Sequence, residues 1–407
     1  MLNISPLKNP VQEYAWGSET AIQALLGETE AAGKPMAELW MGAHPKAPSK
    51  VLVDGNWESL DEVIDLNPES ILGRRVVQAF SSKLPFLFKV LAAASPLSIQ
   101  VHPSLEQASE GYARENALGI PLDSPDRNYK DDNHKPEILC ALSPFQGLMG
   151  FRKIEEILGL MNEVSSSTLS HELELLRGSP DSHGLKRFFT SLVTMDKTRQ
   201  RLIVSEAAGI AEKRSPQEPI FHWMSKLNRA YPGDVGVFSP IILNLVELEP
   251  GEALYIPAGE LHAYLDGVGI ELMANSDNVL RGGLTPKHVD VPELLKIVSF
   301  KSRPVGKIEP LRKGTCESIY PAQSREFMLS VISLNKGSSF ASPRTRSVEI
   351  LICTEGEAEI EDLGNGELLP LSRGRSVIVP AGVSRYRIDG NAIVYKASVL
   401  FPLQSSV

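Results

Sequence analysis

A nine-residue pattern, Gly-x5-Pro-Ala-Gly, occurs twice in this chain, at Gly251–Gly259 and at Gly374–Gly382. In each copy a glycine turn, a short strand-forming run and a Pro-Ala-Gly turn succeed one another, which reads as one strand between two tight turns. A repeat of this kind points to a duplicated β unit. The copies diverge just downstream, since the third residue beyond the first is His262 and the third beyond the second is Arg385. One unit is expected to have kept a metal ligand that the other lost, so the chemistry is expected in the first.

A chain of 407 residues holds two or three domains and buries a substantial core. Its 31 glycines and 29 prolines, with Pro-Gly and Pro-Ala-Gly turns each repeated, favour a mainly β protein with short strands. A formal charge of -9 leaves no basic stripe for phosphate backbones, so no nucleic-acid partner is expected. Neither a signal-peptide run between Met1 and Trp16 nor any stretch approaching the roughly 20 apolar residues that span a bilayer occurs, so no membrane partner is expected. Cys140, Cys316 and Cys353 are scattered in apolar or strand-like contexts, as suits buried thiols in a reducing, cytoplasmic setting.

Two apolar runs, joined at Ser95-Pro96, make up Leu84 to His102. In the second, Ile99 and Val101 face one way while Ser98, Gln100 and His102 face the other. Val246 and Leu248 alternate with Glu247 and Glu249 before a turn at Pro250-Gly251, and Ala253 to Ile256 forms the next strand. Between these stretches the period changes. Ile154, Ile157, Leu158 and Met161 recur at helical spacing. The spacing recurs in Leu169, Leu173 and Leu176 after Ser165-Ser166-Ser167, and in Leu185, Phe188, Phe189, Leu192 and Val193 after Pro180-Asp181-Ser182. The expected division is a catalytic β domain over 1–151 and 236–312, a helical insertion over 152–235, and a C-terminal β domain over 313–407. All eight histidines lie between His44 and His288, so the C-terminal unit can hold no histidine-ligated metal.

Gln100 and His102 leave the same face of one strand and can reach one ion. Glu137 comes 35 residues after His102 in a proline-fixed loop, and His262 comes just after the first repeat. Two imidazoles, a carboxylate and an amide suit zinc and leave iron, manganese and cobalt open. An iron oxygenase and a non-enzymatic sugar-binding or storage protein are the competing readings of this ligand set.

Several strings resemble a known family, the type I phosphomannose isomerases. They are Tyr14-Ala15-Trp16-Gly17-Ser18, Glu38-Leu39-Trp40-Met41-Gly42-x-His44-Pro45, the run Leu84 to Pro103, His134-Lys135-Pro136-Glu137, and Arg281 through Asp290 in Arg-Gly-Gly-Leu-Thr-Pro-Lys-His-Val-Asp. The resemblance implies a cupin fold, here two cupin-type β-barrels or jelly rolls with an inserted helical domain. It also implies one zinc ion per chain, a sugar phosphate as small-molecule partner, and interconversion of mannose 6-phosphate and fructose 6-phosphate through a cis-enediol. Residue by residue it implies Gln100, His102, Glu137 and His262 as zinc ligands and Arg281 as a catalytic arginine. Lys135, Asp277, Tyr264 and Glu271 would line the pocket, and Ser98 and Lys89 would hold the phosphate. Trp16 is expected to complete the core or the pocket rim, with sugar stacking as the other reading. The proton acceptor stays open among Lys135, His134, Asp277 and metal-bound water. A monomer is expected.

Overall fold

The computed structural model describes residues 3–28, 33–164 and 167–399. Their strands form two sheets of ten strands each. Strand His262–Ala274 is the axis of the first sheet. Its first half pairs with Phe145–Phe151 and, at His262, with Ile99–Val101. Its second half runs between Phe86–Ala93 and Glu137–Ala141. The change of partners falls at Gly267, where φ is +120° and a Cβ would meet the Pro144 carbonyl oxygen at 2.7 Å. Only glycine can turn that barrel corner against so close a backbone.

Burial on both faces explains the composition of Phe86–Ala93, which is buried at every position. Phe86, Phe88, Val90 and Ala92 share a core with Ile270 and Leu272 and with Leu329, Ile350 and Tyr395 of the second sheet. Leu91 and Ala93 point the other way, into the first barrel with Leu139, Phe145 and Tyr264. The two β units are thus welded by one apolar layer, in which each fully buried large side chain contributes about 1.5–3 kcal/mol.

The second sheet is built on Met328–Ala341, Glu349–Asp362 and Tyr386–Ser398. The internal repeat is real in three dimensions. Ala253–Ile256 leads through its turn into a 13-residue strand, and Ser376–Val379 leads through its turn into another of 13. One boundary differs from the sequence division. Ser5–Lys8 pairs with Ser376–Val379 and with Lys50–Val53, so these N-terminal strands extend the second sheet, whereas the expected division places all of 1–151 in the first unit. The physical reason is that Ser376–Val379 would otherwise present an open edge.

Helices Ile154–Val164, Ser170–Arg177, Ser182–Val193, Lys197–Arg214 and Pro219–Ala230 pack as one body against the outer face of the first barrel, with Phe188, Trp223 and Phe151 in a common core. Asp181 caps Ser182–Val193 by accepting from the backbone of His183 and Gly184, as its position in the sequence suggests. Of the expected start signal before Leu169, Ser165 and Ser166 lie outside the described residues. Helix Lys197–Arg214 escapes a search for large apolar residues because it buries mostly Ala207, Ala208 and Ala211 beside Ile203 and Val204. Helical structure continues to Ile242, seven residues past the expected boundary at 235.

Candidate metal centre and pocket

Strand register assembles the centre. His262 lies directly opposite Gln100, and Gln100 lies directly opposite Arg281 on its other side. Opposed residues in an antiparallel pair project to the same face, so these three form a row across three strands. His102 comes just after the strand that carries Gln100 and leads through Pro103 into helix Leu105–Ala117, whose Ser104–Gln107 capping box fixes the start. Glu137 opens strand Glu137–Ala141 and sits opposite Met273 and Ile256.

His102, Glu137 and His262 converge, each 1% exposed, with ligand atoms all within 4.8 Å of one another. Glu137 places one oxygen 3.3 Å from His102 Nε2 and the other 3.3 Å from His262 Nε2. The other ring nitrogens face backbone carbonyls, His102 Nδ1 at 2.8 Å from Asn278 O and His262 Nδ1 at 2.9 Å from Glu260 O. A carbonyl only accepts, so Nδ1 carries the proton in both rings and both Nε2 lone pairs turn inward. Burial pushes His102 down to about 4, which keeps the ring neutral.

Those inward atoms are what a cation needs. His102 Nε2, His262 Nε2 and Glu137 Oε2 are buried without any hydrogen-bond partner. Such orphans are costly in a closed interior, and here all three are lone pairs aimed at one another. Charge points the same way. Three buried carboxylates, Glu38, Glu137 and Glu271, face two buried ammonium groups, Lys89 and Lys135, so a divalent cation would more than offset the one remaining negative charge. The donor set, two imidazoles and a carboxylate with Gln100 in the adjoining register, fits zinc.

Around this centre the expected residues fall into different positions. Lys135 Nζ lies 3.2 Å from Glu137 and is 11% exposed. Although burial alone would raise it, His102 and Lys135 hold the Glu137 carboxyl well below the usual carboxylate range. Arg281 is half-buried and its guanidinium makes no hydrogen bond or ion pair among the described residues; burial lowers the guanidinium, which stays charged all the same. Ser98 stands on the Gln100 face, just before the strand. Asp277 is at the rim, 2.9 Å from Lys46 and 3.6 Å from His44. Burial would raise Asp277, but Lys46 and His44 outweigh it and keep the carboxyl low. His134 Nε2 lies 3.0 Å from Glu326, so the loop carrying Lys135 and Glu137 is tied to the second β unit. Trp16 packs beside the barrel interior, and its carbonyl accepts from the backbone of Ala94 and Ser95.

Lys89 departs from the expectation of an anchor open to phosphate. Its ammonium is 6% exposed and lies 2.9 Å from Glu271 and 3.5 Å from Glu38. Burial opposes the charge, yet Glu271 and Glu38 outweigh burial and raise Lys89 above its ordinary value. Tyr264 donates to the other Glu271 oxygen at 2.9 Å, and Trp40 donates to Glu38 at 2.7 Å. Lys89, Glu271 and Tyr264 therefore form a closed interior network beside the metal ligands.

The whole chain resembles known proteins. The family model for the type I phosphomannose isomerase catalytic domain matches residues 4–154, and that for the mannose-6-phosphate isomerase cupin domain matches residues 317–398. The mannose-6-phosphate isomerase of Escherichia coli (strain K12) is 41% identical over 392 residues, covering 95% of this chain and 97% of its own. The chain belongs to the type I mannose-6-phosphate isomerase family. The Homo sapiens member is 38% identical over 325 residues, 73% of each chain. A zinc-bound crystal structure of a mannose 6-phosphate isomerase superposes with a TM-score of 0.89 at 39% identity, over 98% of this chain and 100% of that one.

Family membership does not by itself pick out the supporting residues, and sequence reading gave several of them no role. Asn278 is fully buried and holds the loop before the metal ligands through Lys130 N, Asp131 O and Asn133 O. Asp131 in turn accepts from Ser276 and from Asp277 N. The signal was the concentration of Asp, Asn and Ser at 131–133 and 275–278, residue types that build turns by bonding to nearby backbone. Glu38 and Glu326 carried no comparable local sign.

Proposed function

We propose that this chain interconverts D-mannose 6-phosphate and D-fructose 6-phosphate by moving a proton between C2 and C1 through a cis-enediol, with one zinc ion held by Gln100, His102, Glu137 and His262. The observation that carries the reading is the convergence of three inward, unpartnered ligand atoms beside an arginine that has no partner among the described residues. Zinc held by these residues would supply a Lewis-acidic double positive charge that favours the enediolate. Arg281, one strand from Gln100, stabilises the negative charge that develops as the carbon-bound proton leaves. Its rigid fork of donors stays protonated throughout.

For the proton itself, the groups at the mouth divide by what already occupies them. His134 has Nε2 against Glu326 and serves to hold its loop. Lys135, paired with Glu137, and Asp277, paired with Lys46 and His44 at the rim, stand beside metal-bound water as the groups that could carry the proton. The phosphate is drawn by the cations outside the closed network. Burial lowers Lys130, and Lys46, Arg127 and Arg281 lower it further against Glu115, while its ammonium donates to the carbonyls of Leu122 and Ser124. Ser98 adds a hydroxyl on the Gln100 face. A monomer is taken as the working unit. Three unpaired thiols support a cytoplasmic setting, and no described helix is long and apolar enough to cross a membrane.

An isomerase assay on mannose 6-phosphate before and after chelation, followed by zinc add-back, tests the reading. Activity lost on chelation and regained with zinc is expected. Full turnover in metal-free protein would overturn it.

A further inference from the structure

The strand that carries Arg281 is irregular just past the arginine. Leu280–Gly283 pairs with Ile99–Val101, and the register slips between Arg281 and Gly283, so Gly282 bulges out of the ladder. A bulge bends its strand and re-aims the side chains beside it. Directly beyond, Leu284 takes a φ of +54° while its side chain is fully buried in a core shared with Val237, Phe238 and Leu261. That backbone region is costly for leucine and persists only where the surroundings hold it.

What holds it is Asp234. One carboxylate oxygen accepts from Leu284 N at 3.1 Å and the other accepts from Gly236 N at 2.7 Å. The second bond caps the short helix Val235–Phe238, so a single carboxylate ties the end of the helical insertion to the end of the Arg281 strand. The two segments touch closely. A Cβ on Gly236 would lie 2.9 Å from Leu284 Cγ and 3.0 Å from Leu284 N, so a larger residue there would push the strand end away.

Arg281 depends on this hold because its own side chain is not tethered. Its guanidinium makes no hydrogen bond or ion pair among the described residues, so its aim is set by its backbone. That backbone is fixed on one side by Gln100 in register and beyond the bulge by Leu284. We propose that Asp234 is a positioning residue for Arg281, directing the guanidinium toward the developing charge by pinning Leu284 and the bulge. The helical insertion thus contributes to turnover as well as to the core. The inference rests on the role given to Arg281 under the proposed function, and its test separates the two.

Steady-state kinetics on mannose 6-phosphate with the intact, zinc-loaded protein provide that test. Asp234→Ala should lower kcat about tenfold or more, with KM within about twofold and zinc content per chain unchanged. Asp234→Asn keeps one acceptor oxygen and should lose less, about threefold to fivefold. Asp181→Ala removes a comparable cap from the same insertion and should keep the parent's kcat, which separates aim from general loosening. Arg281→Lys leaves no rigid fork to direct, so adding Asp234→Ala to it should change kcat by less than about twofold. Parent kcat in Asp234→Ala would overturn the proposal, as would an equal loss in the parent and Arg281→Lys backgrounds, or an equal loss in Asp181→Ala. Should Asp234→Ala not fold, Asp234→Asn is read in its place, and a kcat within about twofold of the parent overturns the proposal. In each of these cases Arg281→Lys alone remains slow, whereas Arg281→Lys turning over like the parent would overturn the role of the arginine and this proposal together.

Discussion

Replacing Lys89 with methionine asks whether the network beside the metal is as closed as its geometry indicates. The ammonium is 6% exposed, with Glu271 at 2.9 Å and Glu38 at 3.5 Å. Methionine fills most of the stem volume and removes the charge, leaving two carboxylates desolvated and unpaired. Removing one partner of a buried pair costs about 3–5 kcal/mol. That is a large share of the roughly 5–15 kcal/mol that holds a typical domain together. The deficit should depend on pH. Burial already raises Glu271, with Glu137 and Glu38 adding to it against Lys89. Without Lys89 its folded value climbs further above the unfolded one. The folded variant then binds more protons than its unfolded chain between those two values, so its stability falls as pH rises through that window. The loss relative to the parent should be smaller near about pH 5 than near about pH 8, and adding Glu271→Gln should recover much of it. Urea denaturation monitored by circular dichroism at several pH values measures this. A deficit below about 1 kcal/mol, or one that does not grow with pH, would refute the reasoning and return Lys89 to the open phosphate contact suggested by the resemblance.

Three further outcomes rest on the same geometry. Arg281→Lys should lower kcat about a hundredfold or more with metal content and thermal midpoint unchanged, because a point charge replaces a fixed fork at the developing charge; near-parent turnover would remove Arg281 from that role. Burial works to raise Glu326, but hydrogen bonds from His134 and Ser324 hold it down at about 2, so it contributes stability above the usual carboxylate range that is lost as pH falls toward about 2. Glu326→Gln should therefore flatten the acid limb of a plot of thermal midpoint against pH, and an unaltered limb would mean that the contact does not hold in solution. Mannose without its phosphate should show kcat/KM lower by about a hundredfold or more, and equal efficiency would show that the cations at the rim grip nothing.

Local pattern made much of this legible. The repeated turn located both barrels because Gly251 and Gly374 sit at positive φ, +88° and +80°, and so announce tight turns from sequence alone. Gln100 and His102 could be paired by strand alternation, which is a short-range rule. The Ser5–Lys8 pairing with Ser376–Val379 could not be read in this way, because only long-range register decides which edge a short strand covers. Lys89 shows the same boundary in a side chain. Its place in an apolar run showed that it was unusual, but whether its ammonium met solvent or carboxylate depended on Glu38 and Glu271, 51 and 182 residues away. The resemblance supplied Arg281 and the ligand set as a group, yet gave Asn278 and Glu326 no role, since these act through backbone carbonyl and loop contacts rather than through a motif.

Comparison of the two interiors says what separates a catalytic barrel from its duplicate. In the first, Lys89 meets Glu271 and Glu38 at 2.9 and 3.5 Å; in the second, Lys396 meets Glu317 and Glu349 at 2.7 and 3.5 Å. A lysine held by two carboxylates thus occurs in a barrel that has histidine ligands and in one that has none. Such a network is a way of placing charge inside a closed sheet and cannot by itself account for isomerisation. What the first barrel has in addition is the row His262, Gln100 and Arg281, with His102 and Glu137 converging on it. In the second, Arg385 occupies the repeat position of His262 and bonds the Ser342 carbonyl. The loss of one imidazole leaves the strand and turn intact while removing a lone pair that a metal requires, so the second unit keeps the fold without the histidine site.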